Sequence, residues 1–180
     1  MNSLPGFTQD ELDDAQARYG LRFPPDLVAV LREQRLDRRY QWNAECPAIR
    51  EMLEFPFEML RFDVEQGFWW PDWGERPQAK AEREEVLRSA LTQAPKLIPL
   101  HGHRFLPETP AAAGNPVFSM HGFDTIYYGE NLAAYLQREF GRNRRTSAVA
   151  PRHIPFWSDL VERSDESYDY YAKAVTERDG

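Results

Sequence analysis

Histidines supply the first candidate chemistry in this 180-residue chain. His101 and His103 flank a glycine, and on a strand such i,i+2 side chains share a face. His121 or Asp124 would complete the three protein ligands that a catalytic zinc takes. The helical histidine pair of a zinc protease, HExxH, is missing, and short His-x-His pairs also serve as turn residues hydrogen-bonded to backbone. Nucleophilic chemistry has less to stand on. Cys46 sits in Asn43-Ala44-Glu45-Cys46-Pro47 without a local signature, the setting of a small buried hydrophobe. Ser119 lies two residues from His121, but between Phe118 and Met120 it reads as a strand residue and not a nucleophile elbow. Carboxylate pairs such as Asp72 and Glu75 follow no spacing that predicts acid–base work. Neither phosphate-binding glycine motif occurs. The expectation is a protein that binds and does not catalyse, with no cofactor and no metal.

The densest aromatic cluster is Gly67-Phe68-Trp69-Trp70-Pro71-Asp72-Trp73-Gly74. Three tryptophans within five positions, bounded by Gly and Pro, cannot form a long regular element. Such a segment either pins a loop onto the core or floors a recognition surface. On the second reading Trp69, Trp70 and Trp73 are anchors, with Asp72, His103, Arg104, His121 and Asp124 as neighbouring polar groups.

Elements that position these residues follow from pattern. Thr8 and Glu11 have capping-box spacing, and Leu12, Ala15 and Tyr19 share a face before Gly20, so a helix is expected over Thr8–Tyr19. Pro24-Pro25-Asp26 opens a second helix with Leu27, Val30 and Leu31 inward. Tyr40-Gln41-Trp42 reads as a short strand, and Ile49, Met52 and Leu53 as a helical turn ending before Pro56. A helix over Pro77–Thr92 carries Val86, Leu87, Ala90 and Leu91 on one face and stops at Pro95. From Leu97 the order is a buried strand, a Pro/Gly-rich crossing, a strand at Val117–Phe123, a strand at Ile126–Tyr128, and a helix over Asn131–Phe140 with Leu132, Ala133, Leu136 and Phe140 inward. Ile154, Phe156, Trp157, Leu160 and Val161 look buried, and 164–180, with Tyr168, Tyr170 and Tyr171, reads as a partly ordered tail or last helix. Helices first, then strands mixed with helices, predict a single α+β domain with a central, mainly antiparallel sheet flanked by helices.

Composition narrows the function classes. Hydrophobic residues at 42% and charged residues at 28% describe a globular chain, long enough to bury about 70% of its unfolded surface. A net charge of -7 argues against nonspecific nucleic-acid binding. The basic runs Arg32, Arg35, Arg38, Arg39 and Arg142, Arg144, Arg145 are short, and read as a solvated face and a helix C-terminus. The first residues lack a secretory signal, no 18 apolar residues run together, and a single cysteine suits a reducing cytoplasm.

Several blocks together resemble the SUKH superfamily, in the branch named for the yeast cell-wall-synthesis regulator Smi/Knr. They are the capped helix ending in Tyr19-Gly20 with Leu21-x-Phe23-Pro24-Pro25-Asp26-Leu27; Phe62-Asp63-Val64-Glu65; and Phe68-Trp69-Trp70-x-x-Trp73-Gly74-x-Arg76-Pro77. Leu97-Ile98-Pro99-Leu100-x-Gly102-His103-Arg104-Phe105-Leu106-Pro107, Gly114-Asn115-Pro116-Val117-Phe118-Ser119-Met120-His121, Asp124-x-Ile126-Tyr127-Tyr128-Gly129 and Ile154-x-Phe156-Trp157 extend the likeness. The resemblance implies an α+β fold without established catalytic residues. Many bacterial members of that family are immunity proteins that bind and block a toxin, and eukaryotic members are regulatory binding modules. A toxin domain is therefore the expected partner. The alternatives are a stand-alone regulatory or scaffold module and a zinc-dependent enzyme centred on His101, His103 and His121.

Overall fold

A computed structural model of the chain describes residues 5–141 and 149–163. The expectations for Arg142, Arg144 and Arg145 and for the 164–180 tail lie outside the described residues. The elements are α1 (Gln9–Tyr19), α2 (Pro25–Glu33), α3 (Pro47–Glu65), a 3-10 turn (Pro71–Trp73), α4 (Lys80–Gln93), β1 (Leu97–His101), β2 (Arg104–Pro107), β3 (Val117–Ser119), β4 (Ile126–Gly129), α5 (Leu132–Phe140) and α6 (Trp157–Glu162). This is the expected α+β domain, and its four strands form one antiparallel sheet in the order β1-β2-β3-β4.

Strand alternation divides the core in two. Paired residues share a face: Ile98 opposes Leu106 and Phe105 opposes Phe118. Ile98, Leu100, Leu106 and Val117 join a cluster with α1, α2, α5 and the start of α3. Leu97, Phe105, Phe118 and Met120 join a second cluster with the rest of α3, α4, α6 and the tryptophan segment. Met52 of α3 touches both clusters. The sheet is thus the middle of three layers.

Local signals explain most boundaries. Thr8 and Glu11 form the reciprocal capping box, and Gly20 closes α1 at φ 61°. Proline starts α2 and α3, where its missing N–H costs no helical bond. Asn131 caps α5 through its side chain.

Four expectations need correction. Pro56 does not end a helical turn but lies inside a 19-residue helix. An interior proline costs about 3 kcal/mol, yet the apolar stripe runs on across it, from Ile49 in the first core cluster to Phe57, Leu60 and Val64 in the second. Tyr40-Gln41-Trp42 is turn and coil, with Tyr40 and Trp42 buried as side chains and not as a strand. The crossing after β1 holds the extra strand β2, because the turn at Gly102-His103 folds Arg104-Phe105-Leu106-Pro107 straight back onto β1. In α5 the buried residues are Leu132 and Tyr135, whereas Ala133 and Phe140 are exposed. No helix among the described residues is long and apolar enough to cross a membrane.

Candidate functional site

The loops at the β1–β2 and β3–β4 ends of the sheet bring together most of the residues that the sequence singles out. His103 stands in the first turn and His121 in the second, and their rings meet edge-on with centroids 4.2 Å apart. Burial, then Arg104, then His121 each hold the His103 imidazole below its ordinary pKa. The β3–β4 turn is held from below by α3. Asp63 Oδ2 accepts the Phe123 N–H at 2.8 Å. Burial, with Asp124 adding repulsion, raises the Asp63 carboxyl above its usual range, against the pull of that hydrogen bond. Gly122, at φ 64°, passes so close that a Cβ would collide with Asp63 Oδ2.

Phe123 links this turn to the tryptophan segment, since its ring lies 3.4 Å from that of Phe68, 6.2 Å from Trp70 and 5.9 Å from Trp73. Trp69 and Trp70 are 2% and 6% exposed, so they are core residues and not the presented anchors of the recognition reading. The reason is geometric. The indole N–H of Trp69 donates to the Gly74 carbonyl at 2.7 Å, closing the loop on itself, and Trp70 packs into the cluster beneath the sheet. Trp73 is half-buried, edge-on to Trp69 with centroids 5.2 Å apart. Asp72 is exposed and accepts from Arg163 Nη1 at 2.7 Å, while the Arg163 guanidinium lies over Trp70.

A chain of contacts runs from His103 to His121, through the turn to buried Phe123, and from Phe123 to half-buried Trp73 beside exposed Asp72. Asp124 is exposed in the same turn. Arg104 is half-buried and held, donating to Ser119 Oγ at 2.9 Å with its guanidinium 3.8 Å above the Tyr128 ring. Exposed Ile126 adds an apolar group at the start of β4. The proposed zinc set does not assemble. Only His101 belongs to a strand, His103 lies in the turn, and a bulge interrupts β1 between Pro99 and His101. The His101 ring instead meets Asp37, with Nδ1 3.2 Å from Oδ2, and Phe140. Cys46 is buried with its thiol on the Arg39 carbonyl. The Ser119 hydroxyl accepts from Arg104, and no hydrogen bond joins Ser119 to His121 among the described residues.

Comparison with protein-family models, with curated proteins and with solved structures returns no match. The geometry of this face is accordingly the ground for any functional reading. Sequence reasoning missed Asp63 as the group that positions the 121–125 turn. A carboxylate late in a helix that also carries Glu58, Arg61 and Glu65 is too common to reveal that role. Ile126 reads only as a strand residue, because alternation does not tell which side of an edge strand stays uncovered.

Proposed function

We propose that the protein is a noncatalytic binding protein of the immunity type, which blocks a bacterial toxin domain by docking it on the face made by the 71–74 loop and the 121–126 turn. The observation that carries this reading is Trp73: a half-buried indole backed by Trp69 and Phe123, with exposed Asp72 beside it in the loop and exposed Asp124 next to Phe123 in the turn. Aromatic anchors held by packing lose little freedom on binding and serve as interface hot spots. A net charge of -7 adds long-range attraction for a basic partner and speeds encounter. His103 and His121, in contact with each other across the two adjoining turns, supply further polar groups. Protection of a cell calls for nanomolar binding, on the order of -12 kcal/mol. The resemblance to the Smi/Knr-like branch of the SUKH superfamily supports the same assignment, and the single cysteine suits a reducing cytoplasm as its compartment.

The experiment is co-expression. A toxin domain encoded directly beside this gene is produced in a test strain with and without this chain. Rescue of growth, together with copurification of a one-to-one complex, is the expected result. Unrelieved toxicity with well-expressed, folded protein, or the lack of any adjacent toxin gene, would count against the assignment.

A further inference from the structure

The one grouping of three metal-ligating side chains among the described residues lies away from the predicted histidine set. It comprises His153, Asp159 and Glu162. His153 Nε2 is 3.3 Å from Asp159 Oδ1, and His153 Nδ1 is 3.2 Å from Glu162 Oε1. One ligand atom from each residue lies within 4.8 Å of the other two.

Two features distinguish this arrangement from charges that happen to be near one another. The first is pre-organisation. Asp159 and Glu162 sit three apart on α6, and therefore on one side of it. His153 is brought over them by a stapled turn, in which the Ile154 N–H donates to Ser158 Oγ at 2.7 Å and the Ser158 N–H donates to the Ile154 carbonyl at 2.8 Å. Groups outside the trio orient the carboxylates. The Phe156 N–H donates to Asp159 Oδ2 at 2.9 Å, leaving Oδ1 for the histidine, and the Tyr127 hydroxyl of β4 donates to Glu162 Oε1 at 3.2 Å. Outer partners of this kind fix ligand direction in metal centres.

The second feature is a shortage of positive charge. A neutral imidazole has one N–H and one lone pair, yet both nitrogens of His153 face carboxylate oxygens. A protonated ring would donate from both nitrogens and still leave the trio one negative charge in excess, whereas a divalent cation on one nitrogen replaces that proton and balances both carboxylates. Ligands about 2.05 Å from a tetrahedral zinc are about 3.3 Å apart, and each ring nitrogen lies about that far from its own carboxylate oxygen, so a zinc on one nitrogen starts with one carboxylate in place. Mixed imidazole and carboxylate donors suit zinc or a similar transition cation better than magnesium or calcium, which demand more oxygens.

We infer that His153, Asp159 and Glu162 form a surface site for a divalent transition cation of the zinc class. Water completes the coordination, and binding ties the segment before α6 to that helix. The three side chains are each about half-exposed, so small rotations bring the third ligand in. This inference is independent of the toxin-binding reading.

Isothermal titration of zinc chloride into the metal-stripped full chain tests it, with a thermal melt alongside. The expected result is one zinc per chain, a raised melting temperature, and affinity weakened at least about tenfold in both His153→Ala and Glu162→Gln. The His103→Ala/His121→Ala double variant should bind zinc as the parent does. Glu162→Gln keeps size and shape, so it carries the test if His153→Ala fails to fold. No saturable binding, affinity unchanged in Glu162→Gln, or loss only in the His103→Ala/His121→Ala variant would overturn the site.

Discussion

His103 and His121 come from different hairpin turns, 18 positions apart in sequence, yet their imidazoles meet edge-on with centroids 4.2 Å apart. The pair joins the β1–β2 turn to the β3–β4 turn, and it also sets a pH dependence. Burial lowers the His103 pKa below its unfolded value near 6.5. Between the two values the unfolded chain binds more protons than the folded one, so stability rises with pH there. Stability should hold above about pH 6.5 and fall as the solution is acidified through that value and below it. Melting curves from pH 7.5 to 5 check this, and His103→Gln should flatten the acidic limb. An unchanged limb in that variant would assign it to other groups.

Asp63 has the opposite linkage. Its carboxyl is raised by burial, so the folded state binds the extra proton and stability falls as pH rises from about 4 through the folded value. Asp63→Asn keeps an acceptor for the Phe123 N–H while removing the half-buried charge. It should match or exceed the parent in denaturant unfolding at pH 7. Asp63→Ala leaves that N–H without its partner and should lose about 1–3 kcal/mol. Equal damage from both substitutions would contradict this.

Gly122 should tolerate no side chain. Alanine there adds a collision with Asp63 to the left-handed backbone cost of about 1–2 kcal/mol. Gly102, at φ 52° with open space around a Cβ, carries only the backbone cost. Chemical denaturation should therefore rank Gly122→Ala as clearly more destabilising than Gly102→Ala.

Trp69 is a core residue with a buried indole hydrogen bond, so Trp69→Ala should cost about 3–5 kcal/mol of stability. Any loss of partner binding in that variant should track loss of fold. A variant with parental stability and no binding would restore Trp69 as a surface anchor.

What the sequence makes legible divides along physical lines. Caps and stops are local chemistry, which is why the Thr8–Glu11 box, Gly20, Pro25 and Asn131 mark helix ends correctly. Pro56 misleads because local propensity yields to an apolar stripe shared by two core clusters. Strand β2 hides behind a two-residue turn, and its short Arg-Phe-Leu-Pro run lacks visible alternation. The candidate face is legible in its residue types but not in its exposure. Trp69 and Trp73 look equivalent in sequence, and only the loop closure onto Gly74 separates core from rim. His153 gives no signal in the sequence, because its partners are six and nine positions away across a turn, a spacing that matches no helical or strand period.

The most direct test of the binding face is calorimetric titration of the adjacent toxin domain into the parent chain and into Trp73→Ala, with the melting temperature of each recorded. Nanomolar binding by the parent and a loss of at least about 2 kcal/mol, roughly thirtyfold, in Trp73→Ala at nearly unchanged melting temperature is the predicted result. Parental affinity in a folded Trp73→Ala variant would contradict the placement of the interface, and no binding by the parent would contradict the proposed function itself.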